Sequence, residues 1–308
     1  MLTVNNLTKR FGRITALESV SLECREGEIV GFLGPNGAGK TTTMRLITGF
    51  FEADEGEVRI KGIDIRRNPK AAKRELGYLP EDAPVYPQMT LDGYLRFLGG
   101  IRGTAGLPGR INYVLEACEL KDRRSSLLGE FSRGMRQRAE LAGALLHDPS
   151  VLILDEPTSG MDPFQRQQFR ELIQYLREGK TVLYSTHILS EVSDICDRLV
   201  IINEGKIVAA GTPSELAGQA GDRDLRINFS AQGKDIKKQV ASLDRVIGVE
   251  TLPGREPDFS RLQLLLKPED SRQVTAALGK LVRDQAWLVG ELSVQPFDLE
   301  ETFVRLTR

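Results

Sequence analysis

The nine residues Gly34 to Thr42, reading GPNGAGKTT, constrain this chain more than any other stretch. Gly34, Gly39, Lys40 and Thr41 occupy the fixed positions of the pattern Gly, four residues, Gly, Lys, then Ser or Thr, in which a loop cradles phosphate. Upstream, Glu28 to Leu33 is a short, largely apolar run suited to a buried strand, and downstream Thr41 to Thr48 can open a helix. Glycines at 34, 37 and 39 let the backbone curl so that successive N–H groups converge on phosphate oxygens, and the following helix adds the positive end of its dipole. Pro35, Asn36 and Ala38 complete the loop, and Thr42 carries it into the helix. Lys40 would reach the β- and γ-phosphates, and the Thr41 hydroxyl would hold Mg²⁺. A plain glycine-rich turn is the simpler alternative; the agreement of both ends of the pattern with the flanking elements weighs against it.

At 308 residues the chain exceeds the roughly 250 that one hydrophobic core usually serves, so two domains are expected. A net charge of −1, from 42 basic and 43 acidic residues, provides no global field to recruit nucleic acid or anionic lipid. Cys24, Cys118 and Cys196 are odd in number and lack metal-ligand spacing, which favours reduced, buried thiols in a cytosolic protein. The N-terminal residues have no signal-peptide core, and no apolar run approaches the roughly 18 residues of a membrane helix. A membrane role would therefore depend on a partner.

Taken in order, Leu2 to Arg25 alternate as two half-buried strands around a Phe11-Gly12 turn. Asp54-Glu55-Gly56 signals a turn, followed by strands at Glu57 to Ile60 and Gly77 to Leu79. From Glu81 to Leu146 apolar residues recur at helical spacing, which predicts a mostly helical insertion. Val151 to Leu154 reads as a strand buried on both faces and capped by Asp155 and Glu156. A helix over Phe164 to Arg177, a strand over Thr181 to Ser185, a short helix over Leu189 to Cys196 and a closing hairpin from Arg198 to Ala209 follow. Strands alternating with helices imply a parallel sheet with phosphate chemistry at its carboxyl edge.

Ala217 to Asp224 is polar and glycine-containing, a plausible linker. Beyond it the pattern is strand (Leu225 to Phe229), helix (Ile236 to Leu243), strands (Val246 to Leu252 and Leu262 to Leu266), helix (Glu269 to Asp284), strand (Trp287 to Val294) and a short terminal helix. That order matches the split βαβ, ferredoxin-like arrangement. Trp287 is read as core.

The stretch that discriminates among phosphate-loop proteins is FSRGM, Phe131 to Met135, followed by RQRAELAGALLHDPSVLILDEPTSGMDP. It resembles the signature segment of ABC-type ATPases, usually Leu-Ser-Gly-Gly-Gln, and the resemblance covers about the first 215 residues. Within the family the chain looks like the branch that serves ABC-2-type exporters, as LPEDAPVYPQMT and the ending DLEETFVRL also suggest. The resemblance implies an α/β P-loop ATPase domain over 1–216, with an N-terminal antiparallel β subdomain and a helical subdomain at about 82–147. A linker at 217–224 and an accessory α+β domain at 225–308 follow.

Roles carried over from the family attach to matching positions. Phe11 would stack on adenine, although a strand aromatic can simply pack. Asp155 would hold Mg²⁺, Glu156 would orient or deprotonate the attacking water, and His187 would contact the γ-phosphate and keep water and Glu156 in line. His147 is read as an ordinary turn residue. Phe131, Ser132, Arg133, Gly134 and Met135 would face ATP held by a second copy of the phosphate loop, which implies a homodimer with Ser159 to Asp162 along its seam. Two departures qualify the carry-over. Glu81 stands where many members have Gln; it can take a cation but has no amide donors. Arg133 replaces a signature glycine and could favour phosphate or face solvent.

In such systems an integral membrane permease inserts a coupling helix beside the helical insertion, where Tyr86, Met89, Tyr94 and Phe97 could line a groove or belong to the core. The expected protein is an ATP-hydrolysing motor, on the cytoplasmic face of the membrane through its permease, with the transported substrate set by that partner. The alternative is a soluble ABC ATPase acting on nucleic acid or ribosomes; the balanced charge gives no basic footprint for it. The C-terminal domain is either a structural or dimer-supporting unit or a regulatory ligand-binding one.

Overall fold

A computed structural model describes every residue except 83–85, 221–224, 234, 254–258, 268–269, 296–302, 305 and 308. The chain divides into two compact units, Met1–Pro213 with Leu306–Arg308, and Ser214–Arg305. In the first, strands β1 (Leu2–Phe11), β2 (Ile14–Cys24) and β3 (Ile29–Leu33) precede helix α1 (Lys40–Ile47). Strands β4 (Glu55–Ile60) and β5 (Ile63–Asp64), helix α2 (Pro69–Arg74) and strand β6 (Leu76–Leu79) come next. Helices α3 (Leu91–Arg102), α4 (Leu107–Ala117) and α5 (Arg133–Leu145) form the insertion. The chain returns as β7 (Val151–Asp155), α6 (Pro163–Leu176), β8 (Thr181–Thr186), α7 (Leu189–Val192), β9 (Arg198–Asn203) and β10 (Lys206–Gly211).

Two sheets result. The smaller has the order β2-β1-β4-β5 and is antiparallel. The larger runs β10-β9-β3-β8-β7-β6, parallel throughout except for the β9/β10 hairpin. Every residue of β3, β7 and β8 is buried, as expected of parallel strands covered on both faces, which read as unbroken apolar runs. The strand order places the carboxyl ends of β3, β8 and β7 side by side, and the functional loops leave from those ends.

Local chemistry sets the helix starts. The Thr90 hydroxyl accepts from the Gly93 N–H at the start of α3, Ser132 from Met135 at α5, and Asp162 from Gln165 at α6, each supplying an acceptor to an N–H that the helix cannot satisfy. Gly103, in the left-handed conformation, ends α3.

Three expectations need adjustment. Glu55 and Gly56 belong to β4 rather than to a free turn: Gly56 takes φ +88° where a side chain would strike the carbonyls of Asn5 and Asn6, so the glycine marks close approach of two strands. The helix after His187 closes at Val192, and turns continue to Ile195; the Cys196 N–H still bonds the Val192 carbonyl at 3.0 Å. Helix α8 (Pro213–Ala220) runs through the first half of the expected linker, with Pro213 pre-setting its first turn; residues 221–224 lie outside the described ones.

The second unit contains β11 (Leu225–Gln232), α9 (Ile236–Ala241), β12 (Val246–Leu252), β13 (Ser260–Leu266), α10 (Ser271–Asp284) and β14 (Leu288–Gln295). Its sheet is antiparallel, in the order β12-β13-β11-β14, the split βαβ arrangement expected from the element order. Alternate residues Ile227, Phe229 and Ala231 on β11 and Leu262, Leu264 and Leu266 on β13 face Val274 and Leu278 of α10 in one core, which Trp287 joins. The expected terminal helix falls largely outside the described residues.

Candidate functional site

Gly34 to Thr42 connects the end of β3 to α1. Gly34 lies so close to the Ile202 carbonyl that no side chain fits, and its N–H bonds the Thr186 carbonyl of β8 at 3.4 Å. Gly39 takes φ +106°, with Leu17 and the Ala16 carbonyl where a Cβ would lie. Both ends of the loop therefore require glycine. The loop forms one wall of a cavity of about 610 Å³ lined by Asn36, Gly37, Gly39, Lys40, Thr41, Thr42, Glu81, Glu156, Ser159 and His187.

At its base Lys40 and Glu156 are 6% and 7% exposed. Lys40 Nζ donates to the carbonyls of Gly34 at 2.7 Å and Pro35 at 3.2 Å and pairs with Glu156 Oε1 at 3.1 Å. The other oxygen of Glu156 meets His187 Nδ1 at 2.8 Å. Glu156 adopts φ +46°, a conformation costing of order 1–3 kcal/mol for a residue with a side chain. Its N–H donates to the Ser185 carbonyl at 3.0 Å, so pairing with β8 holds the turn that aims the carboxylate at Lys40 and His187.

Asp155, the last residue of β7, is fully buried. Its Oδ1 accepts from the Ser185 hydroxyl at 3.0 Å, while Oδ2 is buried with no hydrogen-bond partner among the described residues. Burial raises its carboxyl above the ordinary range, and the charges of Glu156 and Glu81 add to this; the hydroxyls of Ser185 and Thr41 pull the other way. An orphaned carboxylate oxygen beside a hydroxyl suits a hard divalent cation. Among the described residues no group of three or more His, Cys, Asp or Glu could hold a metal. One carboxylate oxygen beside a hydroxyl fits Mg²⁺, which takes one or two protein oxygens and completes its shell with water and phosphate.

The structure brings Lys40, Thr41, Glu81, Asp155, Glu156 and His187 together. Phe11 is not a lining residue: 44% exposed at the end of β1, it packs edge-on against Phe51 at 5.5 Å. Its register partner Ile14, 70% exposed, does line the cavity with Thr15 and Ala16. Glu204 and Gly205, missed in the sequence, line it as well. Both have positive φ in the β9/β10 turn, and the Gly205 N–H bonds the Ala38 carbonyl at 3.0 Å. The Glu-Gly pair signals the turn, but nothing local signals that it packs on the phosphate loop.

The FSRGM segment lies elsewhere. Phe131 is buried, Ser132 caps α5, and the Arg133 guanidinium occupies the space beside Gly160, where a side chain would be. Ser132, Gly134 and Met135 line a second cavity of about 320 Å³ with Arg123, Arg138 and Gln165. Among the described residues none lines both cavities.

Residues 17–159 match the family described as ABC transporter. The chain is 34% identical over 316 residues to the linearmycin resistance ATP-binding protein LnrL of Bacillus subtilis (strain 168), covering 100% of this chain and 98% of that one. It belongs to the ABC transporter ATP-binding proteins. Another member, the Nod factor export ATP-binding protein I of Paraburkholderia xenovorans (strain LB400), is 33% identical over 306 residues, covering 98% of this chain and 95% of the relative. A solved ATP-binding subunit of an ABC transporter superimposes with a TM-score of 0.65 at 32% identity, over 72% of this chain and 93% of that one. This ABC transporter ATP-binding protein binds and hydrolyses ATP as the motor subunit of a transporter of the exporter branch. Proteins of this kind work with membrane permeases. Among the described residues no helix is long and apolar enough to cross a membrane.

Proposed function

We propose that two copies of this chain close around two Mg-ATP and drive a separate ABC-2-type permease from the cytoplasmic face of the membrane. The observation that carries this reading is the separation of the two cavities: among the described residues of one chain, those beside the phosphate loop and beside FSRGM share no lining residue. A second copy related by two-fold symmetry would bring Ser132 and Gly134 to the γ-phosphate held on Gly34 to Thr42.

Within each half, Lys40 binds the β- and γ-phosphates, and the loop N–H groups with the start of α1 take the remaining charge. Phe11 and Ile14, opposite each other in register, share a sheet face that supports adenine stacking. Thr41, Asp155 and Glu81 would hold Mg²⁺, which neutralises phosphate charge when bound. Glu156 accepts a proton from the attacking water or orients it, and His187, bonded to Glu156, fixes that carboxylate in line with the phosphate. Residues 1–216 are assigned as the ATPase domain, and 225–308 as an accessory domain.

Glu156→Gln slows hydrolysis and is expected to hold the ATP-bound pair closed. Light scattering with saturating Mg-ATP should then report twice the mass of the free chain; a variant that binds ATP yet stays at one copy would rule out the clamp.

A further inference from the structure

Outside the nucleotide site two carboxylates, Glu140 of α5 and Glu191 of α7, are 8% and 1% exposed and keep one oxygen with no hydrogen-bond partner among the described residues. Glu140 lies under α3, where Gly143 leaves no room for a side chain beside Leu98, and burial pushes its carboxyl up to about 7. Glu191 instead stands behind the turn that carries His187. Its Oε2 accepts from the Thr186 hydroxyl at 2.8 Å, and the Thr186 oxygen in turn accepts from the Ile188 N–H at 3.1 Å. The residues on either side of His187 are thus tied to one carboxylate.

The other oxygen of Glu191 faces Arg166 in the first turn of α6. Arg166 Nη1 is 3.8 Å from Oε1, too far for a hydrogen bond, while its Nε donates to the Met161 carbonyl at 2.9 Å. Met161 belongs to Ser159–Asp162, the loop assigned to the dimer seam. One guanidinium therefore holds the seam loop and stands just short of a buried carboxylate. A charge-assisted N–H···O bond is about 2.7–2.9 Å long, so a shift of about 1 Å closes the gap. A pair that served only to stabilise the fold would be closed already in the free chain. Neither Arg166 nor Glu191 lines the nucleotide cavity, which leaves them acting through other residues.

We propose that Arg166 and Glu191 are positioning residues that couple the dimer seam to His187. The inference rests on the two-copy clamp proposed above and adds the route by which closure reaches the hydrolytic residues. A second copy pressing on Ser159–Asp162 moves the Met161 carbonyl, and Arg166 moves with it onto Glu191 Oε1. That contact satisfies an oxygen whose burial without a partner is costly, and through Oε2 it stiffens the turn from Thr186 to Ile188. His187, bonded to Glu156 at 2.8 Å, is then fixed together with the carboxylate that orients the attacking water. The backbone supplies a parallel link, from the Ser159 N–H to the Glu156 carbonyl at 3.0 Å, so the seam loop reaches both hydrolytic residues.

The test uses the full chain carrying Glu191→Gln, Arg166→Gln or both. Glutamine at 191 keeps an acceptor for Thr186, and the Arg166 side chain is 32% exposed, so each variant is expected to fold, as thermal unfolding would report. Each single variant should lower kcat at saturating Mg-ATP about tenfold or more, with KM for ATP and affinity for ADP within about twofold of wild type. The double variant should be no slower than the slower single one, because all three break the same coupling. ATP-driven pairing of Glu156→Gln in light scattering should persist when Glu191→Gln is added, since the coupling acts after closure. Wild-type kcat in both single variants, or losses that multiply in the double variant, would overturn the coupling and leave the clamp standing. So would ADP affinity that falls in step with kcat, or loss of pairing when Glu191→Gln is added. If Glu156→Gln alone stays at one copy with Mg-ATP, the clamp itself fails, and the coupling with it.

Discussion

In the proposed site Glu156 competes with nucleotide for Lys40, and the competition has a measurable size. The ammonium group donates to two loop carbonyls and pairs with Glu156 at 3.1 Å, with both side chains almost fully buried and so little screened by salt. A hydrogen bond to a charged group contributes about 1.5–3 kcal/mol net, against about 0.5–1.5 for a neutral one. In Glu156→Gln the amide oxygen still accepts from the Lys40 ammonium, so that bond remains charge-assisted and only the attraction of the second charge is lost, on the order of 1–1.5 kcal/mol. Near 1.4 kcal/mol that is a tenfold change in affinity. Glu156→Gln should therefore bind ADP about tenfold more tightly by calorimetry. ADP is the informative ligand because it reaches Lys40 through its β-phosphate yet lacks the γ-phosphate to which a second copy's FSRGM would be drawn. In the same variant turnover should fall by about 10²–10⁴, the usual contribution of a positioned general base. Equal or weaker ADP binding would refute the competition, and turnover within about threefold of wild type would refute the role of Glu156 in hydrolysis.

Three further outcomes are expected. Lys40→Ala should weaken ATP binding by about 10²-fold or more, because a buried charge-assisted contact to phosphate is lost; unchanged ATPase kinetics would count decisively against the loop assignment. Ser132→Arg added to Glu156→Gln should return the ATP-bound species to one copy in light scattering, and a persisting pair would show that FSRGM does not face the partner's nucleotide. Glu140 holds its proton more tightly folded than unfolded, from an ordinary 4.5 up to about 7, so its destabilising effect is absent below the lower value and complete above the higher. Glu140→Gln should thus melt a few degrees above wild type at about pH 8 and together with it at about pH 4; a lower melting temperature at the alkaline end would show that the carboxylate is satisfied after all.

Much of the fold was legible because its signals are local. The unbroken runs at β3, β7 and β8 announce strands covered on both faces, and apolar residues at helical spacing announce α3 and α6. The alternation in β11 and β13 similarly announces a one-sided sheet. Gly56 misled because a glycine that permits close approach of β1 and β4 carries the same letter as one that permits a turn. Ile14 and Gly205 were invisible as site residues, since lining the nucleotide cavity depends on how a hairpin and a turn pack on the loop. Glu140 sits within a helical pattern that gives no sign of an unpaired carboxyl, because its isolation comes from α3 closing over Gly143.

Residue type and spacing alone pointed to a phosphate grip where GPNGAGKTT opens a helix, accompanied by an acidic strand end, a strand-end histidine and FSRGM. Those properties follow from residue type and spacing along a few turns of backbone. It took the packed sheet to bring residues 40, 156 and 187 into one cluster of hydrogen bonds and to keep residues 131–135 out of it. The reason is the strand order: β3 pairs with β8 and β8 with β7, so the ends of three strands far apart in sequence become neighbours. FSRGM instead begins a helix of the insertion. Pairing between distant strands is a choice of the whole sheet, and no local periodicity encodes it.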